Sequence, residues 1–377
     1  MKSLETRRTT NLITARTYKS FSAFISVIVC TLPMLMLLCW TQYMYKDPLQ
    51  HLESINGDKA IPSRNGRLTW DTSCYSYHRK KHLKSQRKLQ EMGCDRKLPK
   101  ALIIGVKKCG TITLTQFLDL HPEIETISGI SFNPRVFVRD WVKQMPMSTS
   151  EQIIVVDSPG YIDNPETLQY MVSNVIRDLK LILMLRDPIQ RAISDYKHVS
   201  VMLRIRPDLK RLATYRYNKR SSQKITVYRG YEMLGNFEET ITDNRGNLNT
   251  SHLFIQKGIY IKYIKNLFEN VDRNRVLIVD GDAFKKYSLL TLKKVEKFLQ
   301  LSDFFTDRHF YYDSRKGFFC ANVTDRPDTE CMAGNKGRSH PTVHQNLLQQ
   351  MSDFFTPYNL KLQEYLNQTL TFSKRNV

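Results

Sequence analysis

The chain has 377 residues, enough for one large domain or two small ones with a substantial core. Lysine and arginine total 57 against 36 acidic residues, a formal charge of +21, which favours a polyanionic partner: nucleic acid, anionic lipid, or a sulfated or uronate-rich glycan. With no recognition-helix, zinc or RNA-binding signature in the chain, glycan ranks first and a nucleic-acid partner is not expected.

Lys2, Arg7, Arg8, Arg16 and Lys19, against a single Glu5, precede an uncharged stretch from Ser20 to Tyr45 rich in Ile, Val, Leu, Met and Phe. That stretch is long enough to span a bilayer with some tilt, with Pro33 as a kink point. The basic flank places residues 1–19 in the cytosol. A cleaved signal peptide is the competing reading. The run is long for such a peptide, however, and no small-residue cleavage site follows before Trp40 and Tyr43. An uncleaved signal-anchor over 20–45 is therefore expected, giving a single-pass type II protein whose remainder is luminal. Residues 46–97 are polar, with many Lys, Arg, His and Ser and little periodicity, and read as a luminal stem.

From residue 98 the pattern changes. An apolar run, Leu102-Ile103-Ile104, ends at Gly105-Val106-Lys107-Lys108-Cys109-Gly110-Thr111, and an amphipathic helix is expected over Ile112–Leu120. Ile153–Val156, Leu181–Leu185 and Val276–Val279 read as buried strands. Helices are expected over Ile189–Val199, Tyr260–Phe268 and Leu289–Leu299. This alternation predicts a three-layer α/β domain over 98–377 with a central, mostly parallel sheet. Ligands of such sheets bind at the carboxyl ends of the strands. The basic insert Met202–Arg220 reads equally as a mobile substrate loop or a solvated charged face.

Three segments carry phosphate-type ligands. In the first, Lys107 and Lys108 precede Gly110-Thr111 at a helix start, where backbone N–H groups cradle an anion. Alone, it also fits an ordinary strand–turn–helix with surface lysines. A nucleotide triphosphatase loop would place a lysine after the glycine, and Gly110-Thr111-Ile112-Thr113 has none. In the second, Arg186 ends a strand and Ser194 follows in the next helix, so that guanidinium and hydroxyl can close on one phosphate. A salt bridge from Arg186 to Asp187 or Asp195 is the alternative. The third is Gly334-Asn335-Lys336-Gly337-Arg338-Ser339-His340, a cationic loop. Cys320 and Cys331 bracket a polar loop and read as a disulfide-closed hairpin in an oxidising compartment. Cys74 and Cys94 are free to pair, although nothing local demands it. Asn249, Asn322 and Asn367 head glycosylation sequons.

The Lys107-Lys108-Cys109-Gly110-Thr111 order resembles the 5′-phosphosulfate loop of sulfotransferases. From about Leu98 onward the chain resembles the heparan sulfate glucosamine 3-O-sulfotransferases. The segments that carry the resemblance are Leu98–Lys108, Leu118–Pro122, Asp157-Ser158-Pro159 with Tyr161, Arg186–Tyr196, Val279–Asp282, Val295–Leu299, Lys316–Cys320 and Lys336-Gly337-Arg338. The resemblance implies a Golgi membrane enzyme that acts on heparan sulfate or a similar glycan. It also implies 3′-phosphoadenosine 5′-phosphosulfate (PAPS) as donor, without a catalytic metal. By the same resemblance Lys108 contacts the 5′-phosphosulfate, while Cys109, Gly110, Thr111 and Ile112 supply backbone and hydroxyl donors beside Lys107. Arg186 and Ser194 hold the 3′-phosphate. Lys336, Gly337, Arg338, Ser339 and His340 close over the nucleotide, with Phe319 near it.

The acceptor side departs from the family. The glutamate base expected after His121-Pro122 falls on Gly129 or Ile130, and a histidine two residues later falls on Ser131 or Phe132. The lysine expected before Ser158-Pro159 is Asp157, and the aromatic expected after Tyr260 is Leu267. Two readings follow: an active enzyme with Asp157 as replacement base, or an impaired relative that binds nucleotide or anionic glycan without efficient transfer. An Asp157 that merely caps the following turn is the alternative for that residue.

Overall fold

The computed structural model of the chain describes residues 74, 85–134, 137–205, 214–217, 224–228, 231–233, 235–321 and 341–374. The expected signal-anchor, most of the stem, and the loop containing Lys336–His340 lie outside the described residues. No helix among the described residues is long and apolar enough to cross a membrane.

Contacts with the domain begin before Leu98, inside the expected stem. Helix α1 (Gln86–Glu91) starts at Ser85, whose hydroxyl accepts from the Lys88 N–H at 3.3 Å. Strand β1 (Asp95–Arg96) pairs antiparallel with Met147–Ser148. The Lys97 ammonium donates to the carbonyls of Thr149 at 2.7 Å and Ser150 at 3.2 Å. Cys74 and Cys94 form a disulfide with Cα atoms 5.9 Å apart, buried around Leu89. The local sequence left this pairing open; a small second core brings the two thiols together. Closing a loop with a sequence separation of 20 removes chain entropy from the unfolded state. Replacing both cysteines by alanine is therefore expected to cost about 3 kcal/mol in urea unfolding.

The main sheet contains five strands, all parallel: β2 (Ala101–Gly105), β3 (Ile124–Ser128), β5 (Ile153–Asp157), β6 (Lys180–Leu185) and β10 (Val276–Asp280), with Met147–Ser148 counted as β4. Their spatial order is β10-β6-β2-β5-β3. Every residue of β2 is buried, as is nearly all of β6, so both faces of the sheet are covered. That burial is why the central strands read as unbroken apolar runs. Edge strand β3, Ile-Glu-Thr-Ile-Ser, is half polar and was not foreseen. Because the chain runs from β2 towards β3 and β5 on one side, then to β6 and β10 on the other, the order reverses beside β2. Such a switch point leaves a crevice at the carboxyl ends of the strands.

The expected helices are α2 (Thr111–Leu118), α5 (Pro188–Ile205), α8 (Tyr260–Asn270) and α10 (Ser288–Leu299). Shorter helices fill the numbering: α3 (Val138–Val142), α4 (Pro165–Tyr170), α6 (Phe237–Ile241), α7 (Leu253–Gln256) and α9 (Gly281–Lys286). A long α11 (Gln345–Leu366) packs on α8, burying Leu347, Met351, Phe355 and Leu362 despite the interior Pro357. The basic insert is not a plain loop. Its first residues complete α5, and Thr214–Tyr217 forms β7 of an antiparallel sheet with β8 (Lys224–Tyr228) and β9 (Tyr231–Met233). Strands β11 (Phe310–Asp313) and β12 (Phe318–Ala321) make a hairpin in which Cys320 is buried and disulfide-bonded. Its expected partner, Cys331, lies outside the described residues.

Candidate active site

The loop after β2 is built by backbone geometry rather than by side-chain caps. The Val106 N–H donates to the Met184 carbonyl at 2.8 Å, which ties the loop to β6, and the Cys109 N–H donates to the Val106 carbonyl at 3.1 Å. Lys108 has φ 75° and Gly110 φ 102°, so the chain passes twice through left-handed space. Only glycine adopts the second value without strain. Gly110 is also the N-cap of α2 and lays no side chain over the first-turn amides. The first turn of α2 thus presents its N–H groups and positive dipole end beside Lys108. Thr111 is buried and Ile112 exposed in that turn.

Arg186 leaves the end of β6 and meets this loop. Its Nη1 donates to the Lys108 carbonyl at 3.5 Å, and its Nε lies 3.7 Å from Asp282 Oδ1. The expected alternatives, Asp187 and Asp195, are engaged elsewhere. Asp187 Oδ1 accepts from the N–H groups of Ile189 at 2.8 Å and Gln190 at 3.3 Å, capping α5. Asp195 is fully buried and takes Arg191 at 3.1 Å and Lys107 at 2.9 Å. Lys107 therefore anchors the loop to the turn of α5 that carries the half-buried Ser194. Arg191, also fully buried, donates a further hydrogen bond to the Phe254 carbonyl.

Three residues near the site had no role in the sequence reading. The Tyr260 hydroxyl donates to the Arg186 carbonyl at 2.7 Å and lies 3.8 Å from Cys109 Sγ. Asp282 holds Arg186 and also accepts from the Asp187 N–H at 2.9 Å. Gly281 sits where a Cβ would lie 2.5 Å from the Cys109 carbonyl oxygen and 2.9 Å from that of Leu185. The Val279-Asp280-Gly281-Asp282 stretch was the available signal for the last two. Burial pushes the Cys109 thiol up to about 12, so it stays protonated.

Across β2, the carboxyl end of β5 holds the buried Asp157 and Ser158. The Ser158 N–H donates to the Ile103 carbonyl and the Gly129 N–H to the Asp157 carbonyl, both at 3.0 Å. This brings the segment after β3 against the end of β5. There the hydroxyls of Ser131 and Ser158 lie 2.7 Å apart, and the Phe132 N–H donates to the Tyr161 oxygen. The positions where the resemblance places a glutamate and a histidine thus face Asp157-Ser158 with serine and backbone groups. Leu267 is buried on α8 and lines a cavity. Phe319, in the β11–β12 hairpin, packs edge-on against Tyr312 with ring centres 5.3 Å apart. Lys336, Gly337, Arg338, Ser339 and His340 lie outside the described residues, as does Asn322. Asn249 uses its side-chain oxygen to accept from Ser251, and Asn367 is exposed at the C-cap of α11.

Residues 98–371 match the sulfotransferase domain family. The chain belongs to the sulfotransferase family. Among its curated relatives, mouse (Mus musculus) heparan sulfate glucosamine 3-O-sulfotransferase 3B1 is 32% identical over 276 residues, covering 71% of this chain and 63% of the relative. Mouse heparan sulfate glucosamine 3-O-sulfotransferase 5 is 31% identical over 284 residues, covering 73% of this chain and 74% of the relative. The resemblance carried by the motifs therefore extends across the domain. A solved sulfotransferase from Alicyclobacillus acidocaldarius is 17% identical with a TM-score of 0.49, covering 74% of this chain and all of that one (100%). Placed in the sulfotransferase family, Gly281 acquires a testable role. Gly281→Ala drives a methyl group into two backbone carbonyls, one of them in the loop after β2. The substitution is expected to cost about 1–3 kcal/mol in urea unfolding and to weaken adenosine 3′,5′-bisphosphate binding in calorimetry.

Proposed function

We propose that the protein transfers a sulfuryl group from PAPS to a glucosamine hydroxyl of heparan sulfate or a related glycosaminoglycan, the 3-O position by resemblance. The observation that carries this reading is the meeting of the Lys108 loop and Arg186 at the sheet's switch point, where Arg186 donates to the Lys108 carbonyl at 3.5 Å. Two cations and an open helix start in one crevice suit a ligand with separate anionic groups. On this reading Lys108 and the amides of Gly110, Thr111 and Ile112 hold the 5′-phosphosulfate. Arg186 and Ser194 hold the 3′-phosphate, and the Lys336–His340 loop closes over the nucleotide.

When bound, PAPS supplies an activated sulfur: a new S–O bond forms to the acceptor while the S–O bond to phosphate breaks. Lys108 counters the charge that builds on the leaving phosphate, an effect confined to the transition state and therefore expressed in kcat. Asp157, a buried carboxylate at the end of the strand beside the phosphate loop, takes the acceptor's proton. The Cys74–Cys94 bridge and the disulfide at Cys320 suit an oxidising lumen. The uncharged apolar stretch Ser20–Tyr45 behind a basic flank carries the rest of that reading, a type II Golgi protein held by a signal-anchor at 20–45.

The test is to give the full-length chain radiolabelled PAPS and a panel of glycosaminoglycans. Label should pass to heparan sulfate. If no acceptor is labelled while adenosine 3′,5′-bisphosphate still binds, transferase activity is excluded and a nucleotide-binding relative remains.

A further inference from the structure

Strand register sets a carboxylate against the arginine that leaves β6. β10 runs parallel to β6 with Asp280 opposite Leu185, so the residues just beyond the two strands are neighbours. Asp280 caps α9, its Oδ1 accepting from the N–H groups of Asp282 at 3.0 Å and Ala283 at 2.9 Å. Gly281 lets α9 start close against β6, where any Cβ would meet the Leu185 carbonyl oxygen. Register, cap and glycine together fix where Asp282 stands.

The peptide unit between Arg186 and Asp187 is held at both ends. Its carbonyl accepts from the Tyr260 hydroxyl at 2.7 Å, and its N–H donates to Asp282 Oδ2 at 2.9 Å. The other oxygen of the same carboxylate, Oδ1, lies 3.7 Å from Arg186 Nε. With the two side chains only 24% and 15% exposed, this pair is screened less than a surface pair would be. Nε faces the carboxylate and Nη1 reaches the Lys108 carbonyl, which leaves the Nη2 group for a ligand. An arginine held in this way loses less rotamer freedom when it meets a phosphate.

We propose that Asp282 and Tyr260 are positioning residues: by clamping the Arg186 peptide they give the site its preference for a nucleotide with a 3′-phosphate over one without it. The inference rests on the reading of Arg186 as the 3′-phosphate ligand, and its test does not require turnover. The full-length protein is titrated calorimetrically with adenosine 3′,5′-bisphosphate and with adenosine 5′-monophosphate. The wild type should favour the bisphosphate by about 10²-fold. Asp282→Asn keeps an oxygen for the Asp187 N–H but loses the charge that faces Arg186. It should weaken bisphosphate binding about tenfold and leave monophosphate binding within about twofold of normal. Tyr260→Phe should shift the ratio the same way by a smaller factor. Asp303→Asn, which removes an equal charge from a partner of Lys293, should leave the ratio unchanged.

Should Asp282→Asn fail to fold, Tyr260→Phe carries the test. Equal weakening of both nucleotides marks a merely structural role, and tighter binding of both marks only the loss of a negative charge. Either result overturns the proposal, as does an unchanged ratio in a wild type that discriminates. If the wild type binds the two nucleotides equally, Arg186 is not the 3′-phosphate ligand, and that reading falls together with the positioning role.

Discussion

Lys108→Ala is expected to lower kcat for sulfuryl transfer by about 10²- to 10³-fold, the usual cost of losing one preorganised group that stabilises transition-state charge. The fold should survive, because Lys108 is half-buried on a loop whose shape is set by backbone bonds and by the Lys107–Asp195 ion pair at 2.9 Å. Steady-state kinetics with labelled PAPS separates the two contributions of the ammonium. A fall in kcat with little change in KM marks action on the leaving group, whereas a rise in KM alone marks ground-state binding. The second pattern would remove Lys108 from its catalytic role. Lys108→Arg should recover part of the rate only if charge, rather than the compact ammonium geometry, is what the site requires.

Asp157→Asn is the second large effect. If the carboxylate accepts the acceptor's proton, the amide should lower kcat by about 10²- to 10⁴-fold while adenosine 3′,5′-bisphosphate binds as in the wild type. A purely structural aspartate gives another result: lower stability in urea and a rate within a few-fold of normal. Ser131→Ala provides the comparison. Its hydroxyl touches Ser158 at 2.7 Å and occupies the segment where a histidine would fall by resemblance. Loss of that contact alone should leave kcat within a few-fold of normal.

Much of the fold was legible because its determinants are local. β2, β5 and β6 are covered on both faces, and such strands must be written as apolar runs. The glycine that opens α2 was legible because positive φ at a helix start demands glycine. Edge strand β3 escaped notice since half its residues are polar. So did α11, because Pro357 lies in its interior, where a proline removes a hydrogen bond and ordinarily reads as a stop. The small core around Cys74, Leu89 and Cys94 escaped for a different reason: its residues are scattered through a polar stretch.

The cationic loop, the arginine after β6 and the alternation of strands with helices were all determined by sequence alone. Each follows from residue type and neighbours a few positions away. Only the tertiary structure decided that Arg186 takes Asp282 rather than Asp187 or Asp195, that Lys107 takes Asp195, and that Gly281 presses against the loop after β2. It also decided that Ser131 meets Ser158 and that Leu267 borders a cavity. Ion pairs and close packing act over a few ångströms, and which groups come that near depends on how separate strands are ordered in the sheet, information that no local stretch of sequence contains.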